Sequence, residues 1–165
     1  MTQDRRWSPQ TLAAQALGHI DPATRAVVPP IHVATTYQRD ADNGYSSGYV
    51  YARPHNATTQ QAEALLASLE GAGAGALLFA SGMAAATSVF MALAPGDHVV
   101  ASRVMYWALR KWLMTEAAHW GLTVDFVETD DLDALAAAVQ PGRTRLVWVE
   151  TPSNPLWTIT DIAAA

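Results

Sequence analysis

The central motif of this chain is Phe79-Ala80-Ser81-Gly82-Met83-Ala84-Ala85-Ala86. The apolar residues 75–79 predict a strand, and residues 82–93 predict a helix that begins directly after it. The turn between them holds a small hydroxyl residue and a glycine. The first N–H groups of a helix have no partner inside the helix, and a glycine allows an anion to approach them closely. The motif therefore predicts a phosphate-binding site.

Strands and helices alternate after this motif. We predict strands at 98–101, 123–127 and 145–150, with helices between them at 106–120 and 132–139. Such alternation is typical of an α/β fold whose parallel strands are joined by right-handed crossovers. A final helix is predicted to begin at Thr160 as its N-cap. Because nothing ends that helix, we expect the chain to be truncated.

The first third of the chain is less regular. Residues 1–56 contain a short helical segment, a β-prone segment at 31–37 and several prolines, and we interpret them as an extended arm and loop that lies on a dimer partner. A helix follows at 58–70, with a capping box formed by Thr58 and Gln61 and with Gly71 after its end. Residues 57–165 are then the first part of a larger domain.

Composition and charge exclude several classes of function. Half of the 165 residues are hydrophobic, the formal net charge is −5, and there is no cysteine. The negative charge argues against nucleic acid or an anionic membrane as partner, and no apolar run has the length of a membrane span. The five histidines have no metal-ligand spacing, so we predict no metal site. We expect a cytoplasmic protein.

Four polar or aromatic segments are predicted at the carboxyl ends of strands, where open α/β sheets bind ligands. They are Ser81-Gly82-Met83, Tyr106, Glu150 and Asn154. Together they would suit a planar, phosphorylated, heteroaromatic ligand. Three alternatives stay open: Tyr106 could anchor a helix end, Glu150 could be a structural ion-pair partner, and Asn154 could be a turn residue.

A further candidate pair lies earlier in the chain. Tyr51 and Arg53 alternate, so they would share one face of an extended segment. Arginine and tyrosine side chains can both donate hydrogen bonds to phosphate. The alternative interpretation is a solvated arginine beside half-buried tyrosines.

Six motifs occur in order along the chain: Pro30-Ile31-His32 with Thr35-Thr36-Tyr37, Tyr49-Val50-Tyr51-Ala52-Arg53, Leu69-Glu70-Gly71, Ser81-Gly82-Met83-Ala84-Ala85, Pro95-Gly96-Asp97-His98-Val99-Val100, and Glu150-Thr151-Pro152-Ser153-Asn154-Pro155 with Ile159-Thr160-Asp161-Ile162. This series strongly resembles the N-terminal part of the Cys/Met-metabolism pyridoxal-phosphate (PLP) enzymes. That family includes cystathionine γ-synthase, cystathionine β- and γ-lyases, methionine γ-lyase and O-acetylhomoserine sulfhydrylase.

The resemblance implies a fold and a set of cofactor contacts. The fold would be the N-terminal part of a fold-type-I PLP-dependent transferase, an extended arm followed by an incomplete three-layer α/β domain with a mostly parallel sheet. Ser81, Gly82 and Met83 would bind the phosphate of pyridoxal 5'-phosphate. Tyr51 and Arg53 would bind the phosphate of the neighbouring subunit's cofactor, in a homodimer or homotetramer with shared active sites.

It also implies residues closer to the chemistry. Tyr106 would stack on the pyridine ring and assist proton transfer, and Asn154 would lie near the cofactor's phenolic oxygen and the substrate carboxylate. Glu150 belongs to the matching strand-end motif. One departure is Tyr106-Trp107-Ala108-Leu109, because the family has small residues after the tyrosine.

The implied function is β/γ-elimination or replacement on sulfur amino acids or O-acyl-homoserine. In the family, the lysine that binds the cofactor covalently lies after the Glu-Thr-Pro-Ser-Asn-Pro motif, whereas Lys111 precedes it. We therefore expect this chain alone to be inactive. The alternative is a non-catalytic fragment that binds a phosphate ligand or pairs with another subunit.

Overall fold

The computed structural model describes residues 7–165, which form two compact units. The first extends through Leu78 and the second is Phe79–Ala165. The division of the chain into a partner-binding arm, 1–56, and a large domain, 57–165, concerns an assembly and stays a prediction. None of the helices in the described residues is long and apolar enough to cross a membrane.

The second unit alternates helices and strands as predicted. Its elements are α3 (Gly82–Met91), β1 (His98–Ser102), α4 (Trp107–Trp112) continued by a π-helical segment (Leu113–Ala117), β2 (Thr123–Val127), α5 (Leu132–Ala138) and β3 (Thr144–Trp148). The three strands are parallel, in the order β2-β1-β3. The predicted α/β fold with a parallel sheet is confirmed.

The core of this unit forms around the central strand. Every residue of β1 is buried, which fits the apolar run Val99-Val100-Ala101 at its centre. Phe90 of α3 is fully buried, and its ring centroid lies 5.1 Å from that of Trp148 and 6.1 Å from that of Trp112. Helices α3 and α4 are thereby packed near the carboxyl ends of β1 and β3.

The described residues of the first unit contain two α-helices, α1 (Pro9–Ala14) and α2 (Ala57–Glu70), and a short 3-10 helix (Ala16–Gly18). The predicted capping box is wrong: Asn56 caps α2, because its Oδ1 accepts from the backbone N–H groups of Thr58 and Thr59 at 2.9 and 3.3 Å. The Thr58 hydroxyl accepts instead from the N–H of His32 at 2.9 Å. Gly71 ends the helix at φ 65°, as predicted.

Two predicted strands do not form. Residues 75–79 have no strand partner among residues 7–165, and Leu77 is 78 % exposed. The N–H of Leu78 donates to Glu63 Oε1 at 2.9 Å instead of to a neighbouring strand. Residues 31–37 contain only one bridge, between Thr36 and Tyr51. A strand needs a partner for its backbone groups, and apolar composition alone does not supply one.

The predicted final helix is a single turn. Thr160 does not cap it, because its side chain is buried and its hydroxyl bonds to that of Thr129 at 2.8 Å. Asp161 Oδ1 instead accepts from the N–H groups of Ala163 and Ala164 at 3.0 and 3.2 Å. The local Asp-turn therefore replaces the helix start.

Candidate functional site

A pocket of about 470 Å³ lies beside the carboxyl ends of β1 and β3 in the second unit, and we call it the main pocket. Its walls are mostly apolar and come from three segments: the first turns of α3, the start of α4 and the end of β3. They contribute Gly82, Met83, Ala85, Ala86, Val89, Tyr106, Leu109, Trp148 and Glu150. Four of the site residues predicted from the sequence, Gly82, Met83, Tyr106 and Glu150, are thus brought together.

The N-terminus of α3 leaves two backbone donors free. Ser81 is the N-cap: its Oγ accepts from the N–H of Ala84 and its carbonyl from that of Ala85, both at 3.1 Å. Within residues 7–165 the N–H groups of Gly82 and Met83 have no hydrogen-bond acceptor. A Cβ placed on Gly82 would meet no atom within 4 Å, so the space on that side of the residue is open. That these donors bind an anion, as the sequence motif predicts, stays a prediction.

Tyr106 and Glu150 are joined directly. The N–H of Tyr106 donates to Glu150 Oε2 at 2.8 Å, and the indole Nε1–H of Trp148 donates to Glu150 Oε1 at 3.3 Å. Strand β3 ends at Trp148, so Glu150 lies beyond the strand rather than in it. Glu150 forms no ion pair in the described part of the chain. The carboxylate therefore caps the segment before α4, and the ion-pair interpretation does not hold.

Three buried hydroxyl groups lie behind Glu150, and we call them the hydroxyl chain: Ser102, Thr129 and Thr160. Ser102 Oγ is 3.1 Å from Thr129 Oγ1, which is 2.8 Å from Thr160 Oγ1. Ser102 Oγ also accepts from the N–H of Glu150 at 3.3 Å. Ser102 and Thr129 were not predicted from the sequence, and Thr160 was predicted only as a helix N-cap, although the position of Ser102 directly after the apolar residues 99–101 was a usable signal.

Asn154 does not line the main pocket. It borders a separate pocket of about 280 Å³ with Pro152, Ser153 and Trp157. Ser153 is buried and orders this loop, since its Oγ accepts from the N–H of Thr158 at 3.2 Å. The amide of Asn154 is exposed at the surface of that loop.

Tyr51 and Arg53 lie side by side in the first unit, as their alternation predicts. The Arg53 guanidinium carbon is 5.7 Å from the centroid of the Tyr51 ring, and both side chains are exposed. Tyr49 is less exposed, and its hydroxyl donates to Gln60 Oε1 at 3.0 Å. No group of three or more histidine or carboxylate side chains in residues 7–165 could hold a metal ion.

Comparison with known proteins gives a consistent result. A family model described as Cys/Met metabolism PLP-dependent enzyme matches residues 10–165. The chain is 44% identical over 157 residues to the cystathionine gamma-synthase of Mycobacterium tuberculosis H37Rv, with 94% of this chain and 40% of that protein covered. It is 39% identical over 160 residues to the cystathionine gamma-lyase of Rattus norvegicus, with 94% and 39% covered.

A solved structure gives the same match. The structure of metB from Corynebacterium glutamicum superposes with a TM-score of 0.85 at 35% identity, covering 96% of this chain and 42% of that one. The chain thus spans about two fifths of the length of the curated relatives it matches.

Proposed function

The chain belongs to the Cys/Met-metabolism PLP-dependent enzymes, and from this premise we propose that it is the N-terminal portion of a trans-sulfuration enzyme. The whole enzyme would use pyridoxal 5'-phosphate to carry out β/γ-elimination or replacement on sulfur amino acids or O-acyl-homoserine. Support comes from relatives named as cystathionine gamma-synthase and gamma-lyase. When bound, the cofactor supplies an electron sink for this chemistry.

One observation carries the proposal for this chain: the free N–H groups of Gly82 and Met83 stand at the edge of the main pocket. They belong to the first turn of a ten-residue helix, α3, whose dipole favours an anion there. Ser81 shapes the site by capping the helix, and the backbone amides of Gly82 and Met83 bind the phosphate of the cofactor.

Tyr106 provides the aromatic surface. The residue is 43 % exposed and lines the same pocket as Gly82 and Met83. It stacks on the pyridine ring of the cofactor, and its phenol is the group in this chain that moves a proton at the substrate. The aliphatic wall formed by α3 and Leu109 excludes water from that face.

Asn154, Tyr51 and Arg53 complete the site in the assembled enzyme. Asn154 contributes an amide donor near the substrate carboxylate and the phenolic oxygen of the cofactor. Tyr51 and Arg53 bind the phosphate held by a second copy of the chain, so a homodimer is the smallest active assembly and a homotetramer contains two such dimers. The exposed pairing of their side chains supports this role, because both remain free to reach an acceptor.

The function is tested on the protein produced from its whole reading frame. It is incubated with pyridoxal 5'-phosphate and assayed with cystathionine, with methionine, and with an O-acyl-homoserine plus cysteine. We expect cofactor-dependent turnover of at least one of these. Absence of turnover with all of them would refute the enzymatic proposal.

Binding by the chain described here is tested separately. We expect it to bind pyridoxal 5'-phosphate more tightly than pyridoxal, because only the former carries the phosphate, and we expect inorganic phosphate to compete. Equal affinity for the two compounds would refute the phosphate site. Phosphate-selective binding combined with an inactive whole protein would support the alternative, a non-catalytic subunit that binds a phosphorylated ligand.

A further inference from the structure

We propose that Glu150 is a positioning residue, whose carboxylate fixes the separation between Tyr106 and Trp148 and so holds the Tyr106 ring where it can stack on a planar ligand. This inference rests on the proposed function of the main pocket. It assigns Glu150 a role through its neighbours and not as a direct cofactor ligand.

The two oxygens of Glu150 are both in use. Oε2 accepts from the Tyr106 backbone N–H at 2.8 Å and Oε1 from the Trp148 indole N–H at 3.3 Å. Hydrogen bonds to an ionised carboxylate are stronger than those between neutral groups. Within the described residues no basic side chain pairs with Glu150, so these N–H donors offset its charge. A carboxylate engaged in this way stabilises the wall of a pocket without presenting a free oxygen to an anionic ligand.

Tyr106 depends on this contact for its placement. It precedes α4, and its own side chain makes no capping hydrogen bond. The residue is 43 % exposed, and its ring has that of Trp107 as an aromatic neighbour at 6.4 Å between centroids. The position of the ring is therefore set through the Tyr106 backbone, whose N–H is held by Glu150.

Trp148 anchors the other oxygen in the core. Its ring packs on the fully buried Phe90 at 5.1 Å between centroids, and it is the last residue of β3. Glu150 consequently bridges the backbone of Tyr106 and the indole of Trp148, a ring that packs on the core. Both residues line the main pocket.

The hydroxyl chain fixes the Glu150 backbone in turn. Ser102 Oγ accepts from the N–H of Glu150 at 3.3 Å and donates to the carbonyl of Trp148 at 3.4 Å. Ser102 is 1 % exposed, and Thr129 and Thr160 behind it are 5 % and 4 % exposed. Residues 148 and 150 are therefore held on the same buried group, which limits the directions in which the Glu150 side chain can point.

The variants that test this role are Glu150→Gln and Trp148→Phe. Glutamine keeps the size of the side chain and one acceptor oxygen, but it carries no charge and its amide nitrogen is a donor, so the two charge-assisted hydrogen bonds cannot both be kept. Phenylalanine keeps an aromatic ring that can pack against Phe90, removes the indole N–H donor and leaves a smaller side chain at that position. The matched control is Glu128→Gln, because Glu128 pairs with the exposed Arg103 at 3.0 Å and does not line the pocket.

The first measurement is the indole N–H resonance of Trp148 in the ¹⁵N-labelled protein, assigned by its loss in Trp148→Phe. We expect Glu150→Gln to move this resonance and to leave the other indole resonances in place, and Glu128→Gln to move none. This readout needs no cofactor. An unchanged Trp148 resonance in Glu150→Gln would overturn the proposal even if pyridoxal 5'-phosphate does not bind at all.

The second measurement compares the affinities for pyridoxal 5'-phosphate and for inorganic phosphate. We expect Glu150→Gln to weaken binding of pyridoxal 5'-phosphate about tenfold, the loss expected for one charge-assisted hydrogen bond. The affinity for inorganic phosphate should stay unchanged. In a Tyr106→Ala background, Glu150→Gln should cause no further loss. Equal losses for both ligands would mean that Glu150 has only a structural role. Failure of the wild-type protein to bind pyridoxal 5'-phosphate would refute the proposed function instead.

Discussion

His98 Nε2 lies 3.1 Å from Asp125 Oδ2, which joins the first residue of the central strand β1 to the neighbouring strand β2. The imidazole is completely buried, whereas the aspartate side chain is half exposed. On the other side, His98 Nδ1 lies 2.8 Å from Thr144 Oγ1 at the start of β3. One side chain therefore connects all three strands at the end of the sheet opposite the main pocket.

We expect His98→Ala to lower the free energy of unfolding by about 2–4 kcal/mol, because it leaves a cavity and removes a hydrogen-bonding partner from two strands. Urea denaturation measures the change. The control is His119→Ala, since His119 is exposed and should lie within about 0.5 kcal/mol of wild type. Similar denaturation midpoints for the two variants would contradict this account of the sheet.

We expect Gly82→Pro to abolish most of the affinity for pyridoxal 5'-phosphate, while Gly82→Ala keeps it within about threefold. Proline is accepted at the first position of a helix and removes only the N–H, and the residue before it must be extended, as Ser81 is at φ −155° and ψ 156°. Alanine retains the N–H and has room for its Cβ. Isothermal titration provides the comparison, and equal affinities of the two variants would exclude the Gly82 amide as a phosphate donor.

The assignment of Arg53 to a partner's site predicts complementation between defective subunits. In the whole protein, Arg53→Ala and Gly82→Pro should each lose activity, whereas an equal mixture that exchanges subunits should regain about a quarter of wild-type sites, because one site in each mixed dimer is intact. Activity of the mixture against each parent is the measurement. Arg53→Ala mixed with itself is the control, and no recovery in the mixture would place Arg53 outside a shared site.

Asp21 makes the stability of the first unit sensitive to acid. The N–H of Thr24 donates to its carboxylate at 2.7 Å, with further hydrogen bonds from the Thr24 hydroxyl and the N–H of Ala23, and these lower the pKa of Asp21 below its ordinary value. A lowered folded-state pKa contributes stability above the unfolded pKa and loses it as the pH falls through the folded value.

We therefore expect the difference in stability between the wild type and Asp21→Asn to be constant near neutral pH and to shrink as the pH is lowered below about 4. Chemical denaturation across pH 2–7 would follow it. Asp42→Asn provides a comparison on another exposed loop aspartate. A difference that grew on acidification would show that the sign of the Asp21 contribution is wrong.

Local sequence signals predicted most of the second unit. Helix α3, strands β1 and β2 and the end of α2 at Gly71 lie where hydrophobic spacing and turn residues place them, because these features depend on near neighbours in the chain. The turn at residues 81–83 was likewise predictable from the sequence, because a helix N-terminus depends on residues that are close together in the chain.

Apart from the cap of α2, which is local, the failures involve distant partners. Residues 75–79 have the composition of a strand but no strand beside them in the part of the chain that the structure describes, and Thr160 contacts Thr129 instead of capping a helix. The hydrogen bond between Glu150 and Tyr106 joins residues 44 positions apart, so hydrophobic periodicity in the sequence does not predict it. The spacing of the predicted strands could place Glu150 and Tyr106 at the same end of the sheet. It could not show that the Glu150 carboxylate accepts a hydrogen bond from Tyr106.

The hydroxyl chain also has a direction. Each hydroxyl has one proton, so Ser102 can donate to the Trp148 carbonyl only if Thr129 donates to Ser102 and Thr160 donates to Thr129. Replacing one member by an apolar residue leaves the buried hydroxyl of the next member without its hydrogen-bond partner. Replacing neighbouring members together removes the donor and the acceptor at once. We therefore expect apolar substitutions at neighbouring positions of the hydroxyl chain to cost less stability together than the sum of the single substitutions.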